Sequence, residues 1–527
     1  MAAKQMRSPG DDPQAFSTHP LHAGGAELAR MLGGRLLSPA AEPAPCARLE
    51  LDSRRVRQGD LFVAIRGPRF DAHEFLEDVI ARGARGLLVE RALGLELPKG
   101  VFAVQVEDCR RALIEMARIR RSQLKIPVLG ITGTCGKTST KETLRHLLEG
   151  SVRVHASPKS FNNDIGLPWT ILNAPVDCEA LVLEIGSNGP GEIAALSEIA
   201  RPTHGCVTMA GRGHLERLGS VDGVAREKSA LLAALPADGV AVINADDERL
   251  AIFEEAAGSR RILSFGIGDR AQLRAQGLRM RPQGVHFELW TPGGAHPQRL
   301  EIPRLGMPAL RNFLAAFGLA YGAGLLPRAQ ELLERAASLP PLPRRLEHKL
   351  GPCGSELIDD SYNANPESLL AAASVVDRWP RLQRRLLVLG EMAELGPESE
   401  ELHRELGAAM AGRFDVLLAI GEGAAPAAEG FARAGQGALS LGPGAEEGVA
   451  LGAEAGGAAS LMLPSLQAAQ RWLMDELGEG DLVLLKGSRR AAIDELVDAL
   501  VLAAVSPERS ARRDDRGFPS PGAADAS

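Results

Sequence analysis

Short apolar runs alternate with amphipathic stretches along most of the chain. Apolar runs occur at 61–65, 86–89, 102–106, 127–131, 180–185, 205–208, 240–244, 385–389, 416–420 and 482–485. Each has the length of a strand, and continuous rather than alternating apolarity marks strands covered on both faces. Between them lie segments whose apolar positions recur every three or four residues, such as 110–123, 139–148, 399–411 and 466–477, which predict helices. Strands alternating with helices predict an α/β fold built on parallel sheets. The pattern breaks into three domains: a small mixed α/β block at 21–124, a central parallel-sheet block at 125–342 and a smaller Rossmann-like block at 343–505. The Pro-rich string Leu-Pro-Pro-Leu-Pro-Arg-Arg at 339–345 reads as the hinge before the last of them. Residues 1–20 and 506–527 are polar and rich in Pro, Ser and charge, and are expected to be disordered tails.

Composition narrows the function classes. The 527 residues are 45% hydrophobic and 24% charged, as in ordinary soluble proteins. A net charge of −7 gives no basic footprint for nucleic acid. No apolar stretch approaches the ~18–20 residues that span a bilayer, and the amino terminus lacks a secretory pattern. The six cysteines are scattered without a Cys-x-x-Cys pair, which argues against zinc sites and disulfides and predicts a reducing, cytoplasmic setting. Only nine lysines stand against 51 arginines, so each lysine invites a reason.

The sharpest motif is Gly133-Thr134-Cys135-Gly136-Lys137-Thr138, placed between the strand at 127–131 and the helix at 139–148. Glycines let backbone N–H groups close around phosphate at a helix N-terminus. Lys137 suits the outer phosphates of a nucleotide and the Thr138 hydroxyl suits magnesium. The strict G-x-x-x-x-G-K-[ST] pattern would need glycine where Ile131 stands. Glu184 closes an apolar strand on the edge where the phosphate loop also lies, so it is either a magnesium ligand or a strand-end acid in solvent. On the residues alone His214 reads as a surface or structural histidine, and Lys228, in Val-Ala-Arg-Glu-Lys-Ser, as a solvated helix lysine.

Taken together these motifs resemble the Mur ligase superfamily, the ATP-dependent amide-forming enzymes of bacterial cell-wall precursor synthesis. The resemblance runs from about residue 25 to 503. It rests on the 52–75 block DSRRVRQGDLFVAIRGPRFDAHEF, GTCGKTS, SFNNDIGLP at 160–168, LEIGSNGPGEI, GRGHLERLGS, AREKS, DDSYNANPES at 359–368, LGEMAELG followed by His403, and LLKGSR at 484–489. The DDSYNANP string is the most specific. It points to the branch that joins D-alanyl-D-alanine to a UDP-N-acetylmuramoyl-tripeptide through an acyl phosphate.

What the resemblance implies can be carried over residue by residue. The 52–75 block, with Ser53, binds the UDP end of the substrate. Gly133, Thr134, Gly136, Lys137, Thr138 and Ser139 cradle the ATP phosphates, and Lys137 is catalytic. Thr138 and Glu184 hold magnesium, Glu184 bridges two ions, and His214 helps hold the second. Lys228 matches a lysine typically carbamylated in the superfamily, which would make it a metal-site anion. Asn312 lies on the adenine side, Arg345 approaches the phosphates and Asp360 lies near the ribose. Asn162, Asn163, Asn363, Asn365, Lys486 and Arg489 fall on the substrate side. A monomer acting on small molecules, without nucleic acid or membrane insertion, is expected. Four positions depart from the family pattern: Met209, Pro308, Ala72 and Cys135. Alternatives are a ligase adding a single amino acid, at the third peptide position or on a folate tail, and a non-enzymatic P-loop module. The last leaves two blocks without a role.

Overall fold

The computed structural model describes residues 18–37, 45–380, 382–435 and 459–505. The expected tails lie outside the described residues, except for 18–20. There the Thr18 carbonyl accepts from Gln123 Nε2 at 2.9 Å, and Pro20–His22 forms one turn of 3-10 helix.

Two compact units emerge. Of the described residues, the first takes those within 18–279, 286–302 and 308–339, and the second those within 280–285, 303–307 and 340–505.

Two sheets belong to the first unit. A five-stranded sheet runs in the order Arg35–Leu36, Phe102–Gln105, Gly86–Val89, Leu61–Val63, Leu49–Glu50, parallel except at its first strand. The second sheet has nine strands. Its parallel heart is the series Val154–Ala156, Ala180–Glu184, Val128–Thr132, His204–Val207, Val240–Asn244 and Arg261–Gly266. Every residue of Val128–Thr132, Ala180–Glu184 and Val240–Asn244 is buried, which is why these runs carry no polar alternation. Beyond them the sheet continues through Leu273–Arg281, Gly284–Trp290 and Gln298–Ile302, where buried and exposed positions alternate. One apolar core joins the two sheets: Leu28, Leu49, Val63 and Leu88 belong to the same cluster as Leu181, Leu183 and Ile185.

The second unit carries a six-stranded sheet in the order Glu347–Leu350, Glu356–Asp360, Asp481–Lys486, Arg384–Gly390, Val416–Ile420, Ala459–Leu463. Only the first pair is antiparallel. Its core is Leu386, Val388, Leu418, Val483 and Leu485 against Leu473, Leu496 and Leu500 of the covering helices.

Candidate active site

Register sets the site. Val128–Thr132 pairs in parallel with Ala180–Glu184, placing Ile131 beside Glu184, and with His204–Val207, placing Thr132 beside Val207. Three strands therefore deliver the phosphate loop, Glu184 and Thr208 to one carboxyl edge. Gly133 and Gly136 have φ of +141° and +87°, which a side chain tolerates poorly. A Cβ on Gly133 would also run into Thr208 Oγ1, and one on Gly136 into Asn312 Oδ1. The loop is held from below: Thr134 N donates to Met209 O at 2.9 Å, Gly211 N to Thr134 Oγ1 at 3.0 Å and Thr208 Oγ1 to Cys135 O at 2.5 Å. Met209 joins this pinning through its carbonyl, which any residue at this position would supply.

The helix Lys137–Leu148 starts directly on the glycine turn. Lys137 folds back over the loop, its Nζ donating to Gly133 O at 2.6 Å and Thr134 O at 3.3 Å. The Thr138 hydroxyl donates to Glu184 Oε2 at 2.9 Å and stands 3.4 Å from Ser160 Oγ. The other carboxylate oxygen, Oε1, accepts from Asn162 Nδ2 at 2.8 Å. Glu184 is thus a buried acid, 1% exposed, and not the solvated strand end that its position alone allowed. Ser139 is buried, with its carbonyl taken by Thr143 Oγ1. Asn312 Oδ1 accepts from Thr140 Oγ1 at 3.4 Å, on the helix Gly306–Gly322. Pro308 falls in the first turn of that helix, where its missing N–H has no helical partner to lose.

Lys228 overturns its reading from local sequence. It is completely buried in the helix Val221–Ala233, and its Nζ donates to Ser187 Oγ at 2.7 Å. Burial, with the nearby charge of Lys137 second, brings its ammonium down to about 7. An amine that gives up its proton near neutrality is nucleophilic. The preceding Glu227 accepts from Gly191 N and Ile193 N at 2.7 and 2.8 Å and so caps the helix Glu192–Ala200. His214 sits at φ +61° on the loop that Thr134 pins, and its carbonyl accepts from Arg217 N and Leu218 N.

The oxygen set around Glu184 fits a hard cation. A buried carboxylate is held by neutral donors, with two hydroxyls beside it. Among the described residues no three His, Cys, Asp or Glu side chains group closely enough to hold a metal alone. An ion there would complete its shell from Thr138, Ser160, water and phosphate oxygens, which is the habit of magnesium.

Several expected substrate residues have local structural duties. Asn163 Oδ1 accepts from Gly166 N at 2.9 Å at the start of Gly166–Leu172. Asn365 caps Pro366–Val376 in a reciprocal box with Ser368. Ser53 lies in the turn Ser53–Arg55, whose N-cap Asp52 accepts from Arg54 N. His73 accepts from Glu90 N at 2.9 Å and bonds Asp71 at 2.6 Å, so the block containing Ala72 is rigidly built.

In the second unit Asp360 accepts from Leu346 N at 3.1 Å and from Lys486, whose Nζ also donates to Asn363 O at 3.0 Å. Tyr362 meets two arginines: the guanidinium carbon of Arg345 stands 3.9 Å from its ring centre and that of Arg489 4.4 Å, with Arg489 also donating to the hydroxyl. Buried His403 donates from Nδ1 to Ser399 O at 2.7 Å and accepts Met392 N at Nε2, 3.0 Å, which makes it a neutral brace. Tyr362, Ser160, Ser187 and Lys141 escaped the reading of the sequence. Lysine scarcity was the signal available for Lys141.

A glycine-lined phosphate loop, a buried acid facing its threonine and a buried low-pKa lysine define a P-loop nucleotide site of the ligase kind. Residues 131–320 match the Mur ligase middle domain and residues 344–489 the Mur ligase glutamate ligase domain. The chain belongs to the Mur ligase family. It is 36% identical over 379 residues to the UDP-N-acetylmuramoyl-tripeptide--D-alanyl-D-alanine ligase of Escherichia coli, covering 70% of this chain and 80% of that protein. Among solved structures, MurF from Acinetobacter baumannii superposes with a TM-score of 0.78 at 28% identity, covering 91% of this chain and 98% of that one. MurF ligase from Thermotoga maritima in complex with ADP gives 0.70 at 25% identity, covering 87% and 97%.

Proposed function

We propose that the protein is an ATP-dependent ligase that joins D-alanyl-D-alanine to a UDP-N-acetylmuramoyl-tripeptide in peptidoglycan precursor synthesis, acting as a cytoplasmic monomer. The observation that carries this reading is the convergence of Lys137, Thr138 and Glu184 on one sheet edge, in a chain sharing 36% identity with a ligase of that activity. Among the described residues no helix is long and apolar enough to cross a membrane.

An ionised carboxylate is a poor electrophile, so the amine cannot attack it directly. Transfer of the γ-phosphoryl group of ATP to a carboxylate oxygen of the tripeptide releases ADP and gives an acyl phosphate. The dipeptide amine then forms a C–N bond to the acyl carbon, the tetrahedral adduct expels phosphate, and the amine's surplus proton passes to solvent. Such transfer is mostly positioning and charge stabilisation. Lys137 supplies charge at the phosphates, and Arg345 adds a second cation. Magnesium, held by Thr138 and Glu184, neutralises phosphate charge when bound. Within this reading His214 and Lys228 would serve a second ion, Lys228 as the carbamate formed when its neutral amine adds carbon dioxide and gives up a proton to solvent. Asn312 serves the adenine, Asp360 the ribose, and Ser53, Asn162, Asn163, Asn363, Asn365, Lys486 and Arg489 the two substrates.

Phosphate release measured with ATP and UDP-linked tripeptide, with and without D-alanyl-D-alanine, tests the proposal. Release that requires the dipeptide is expected. Release supported equally by a single amino acid, or by a folate acceptor, overturns it.

A further inference from the structure

Lys141 lies one helical turn beyond Lys137, and no part of it reaches solvent. Its ammonium donates to Ser157 O and Lys159 O, each at 2.5 Å, and pairs with Glu142 Oε1 at 2.9 Å. Three protons meet three acceptors, so the charge is fully satisfied despite its burial. A guanidinium, flat and larger, does not offer this tripod, which accounts for a lysine in a chain that otherwise prefers arginine.

The two captured carbonyls belong to the segment that faces the phosphate end. Ser157 is fixed on the sheet, with its N–H donating to Val182 O and its hydroxyl accepting from Glu184 N at 3.2 Å. Lys159 turns the chain at φ +49°, a conformation costly for a side-chain residue, and the turn aims its carbonyl inward at the ammonium. Directly after the turn come Ser160, beside Thr138, and Asn162, which holds Glu184. Asn162 O also accepts from Gly186 N, where a Cβ would press on the asparagine side chain at 2.8 Å.

We propose that Lys141 is a positioning residue for the magnesium–phosphate end of the site, acting through the 157–162 segment to fix the Ser160 hydroxyl and the Glu184 carboxylate. The inference rests on the reading that Thr138 and Glu184 hold magnesium. It predicts a specific defect, in metal affinity rather than in binding of the dipeptide.

The test is Lys141→Met, which keeps the unbranched stem and removes the ammonium. The magnesium concentration that half-saturates binding of a non-hydrolysable ATP analogue, followed by calorimetry, should rise ~10-fold or more, the usual effect of losing a residue that orients a metal ligand. The dipeptide KM should stay within twofold, and amide exchange across 157–166 should accelerate selectively. Asn162→Ala should show a similar metal defect, and the double variant should be no worse than the poorer single. Wild-type magnesium dependence in Lys141→Met, or a loss fully additive with Asn162→Ala, overturns the proposal. Should Lys141→Met fail to fold, Lys141→Gln, which still reaches toward the carbonyls as a neutral donor, faces the same thresholds. Glu184→Ala separates the two levels. If it leaves magnesium dependence intact, the metal reading itself fails; if it abolishes that dependence while Lys141 variants do not alter it, only the positioning role fails.

Discussion

The stacking on Tyr362 gives a prediction whose size follows from the geometry. Two guanidinium groups lie against one ring, at 3.9 and 4.4 Å from the ring centre, and the ring is only half-buried. A cation–π contact at such a site contributes about 0.5–1 kcal/mol, so the two together contribute about 1–2 kcal/mol to holding Arg345 and Arg489 in place. Tyr362→Leu removes both contacts. If the held orientations are the productive ones, the lost stacking lowers kcat/KM by about 5- to 30-fold, the rate equivalent of that energy, in addition to the effect of the lost hydroxyl. Tyr362→Phe keeps the ring and loses only the hydroxyl that Arg489 reaches, a neutral acceptor worth about 1 kcal/mol, so its loss should stay near fivefold or below. Initial rates of phosphate release, with ATP and dipeptide each varied, supply the comparison. Melting temperatures verify that both variants are folded. Equal activity in the Leu and Phe variants would show that the stacking orients nothing the reaction needs.

Other expectations follow from the same structure. Lys137→Ala should abolish turnover with an unchanged melting temperature; near-normal ATP hydrolysis by that variant contradicts its assignment at the phosphates. Lys228→Ala should lose ligase activity and regain part of it when short-chain carboxylates are added, whereas a fully active variant removes the carbamate. His403 is held neutral, its pKa lowered mainly by burial. Its contribution to stability is therefore complete above the ordinary histidine pKa of about 6.5 and is lost as pH falls from there toward the lowered folded value. Within that window His403→Gln should remove one proton's share of the pH slope, about 1.4 kcal/mol per pH unit in urea unfolding. An unchanged slope would mean that the brace is not titrating.

Much of the architecture is legible because the sheets are covered on both faces. Buried strands such as Val240–Asn244 and Val416–Ile420 leave unbroken apolar runs, and their positions match the runs in the sequence. The extension 273–302 left no such trace, since its strands alternate buried and exposed residues and carry many charges. The phosphate loop is equally plain, because Gly133 and Gly136 occupy conformations that few other residues adopt. Contacts made across the fold are not visible in the same way. Lys228, following Arg226 and Glu227 on its helix, looks solvated until Ser187, 41 positions earlier, closes over it. Asn162 and Asn163 are adjacent and look equivalent, yet one holds Glu184 and the other starts a helix. Local spacing cannot separate them, since the difference lies in the partner each one reaches, a strand-end acid for one and the N–H groups of a helix start for the other.

The apolar core that joins the five-stranded and nine-stranded sheets makes the first unit a ruler. Leu49, beside the 52–75 block, and Ile185, beside the phosphate loop, are packed into one mass, so the span between those regions is built in rather than adjusted. If the 52–75 block takes the nucleotide end, as the proposed function has it, a precursor anchored there would present its far carboxylate at a set reach, and chain length itself becomes a criterion of selection. Analogues one residue too short should fail for want of reach even when every recognised chemical group is present.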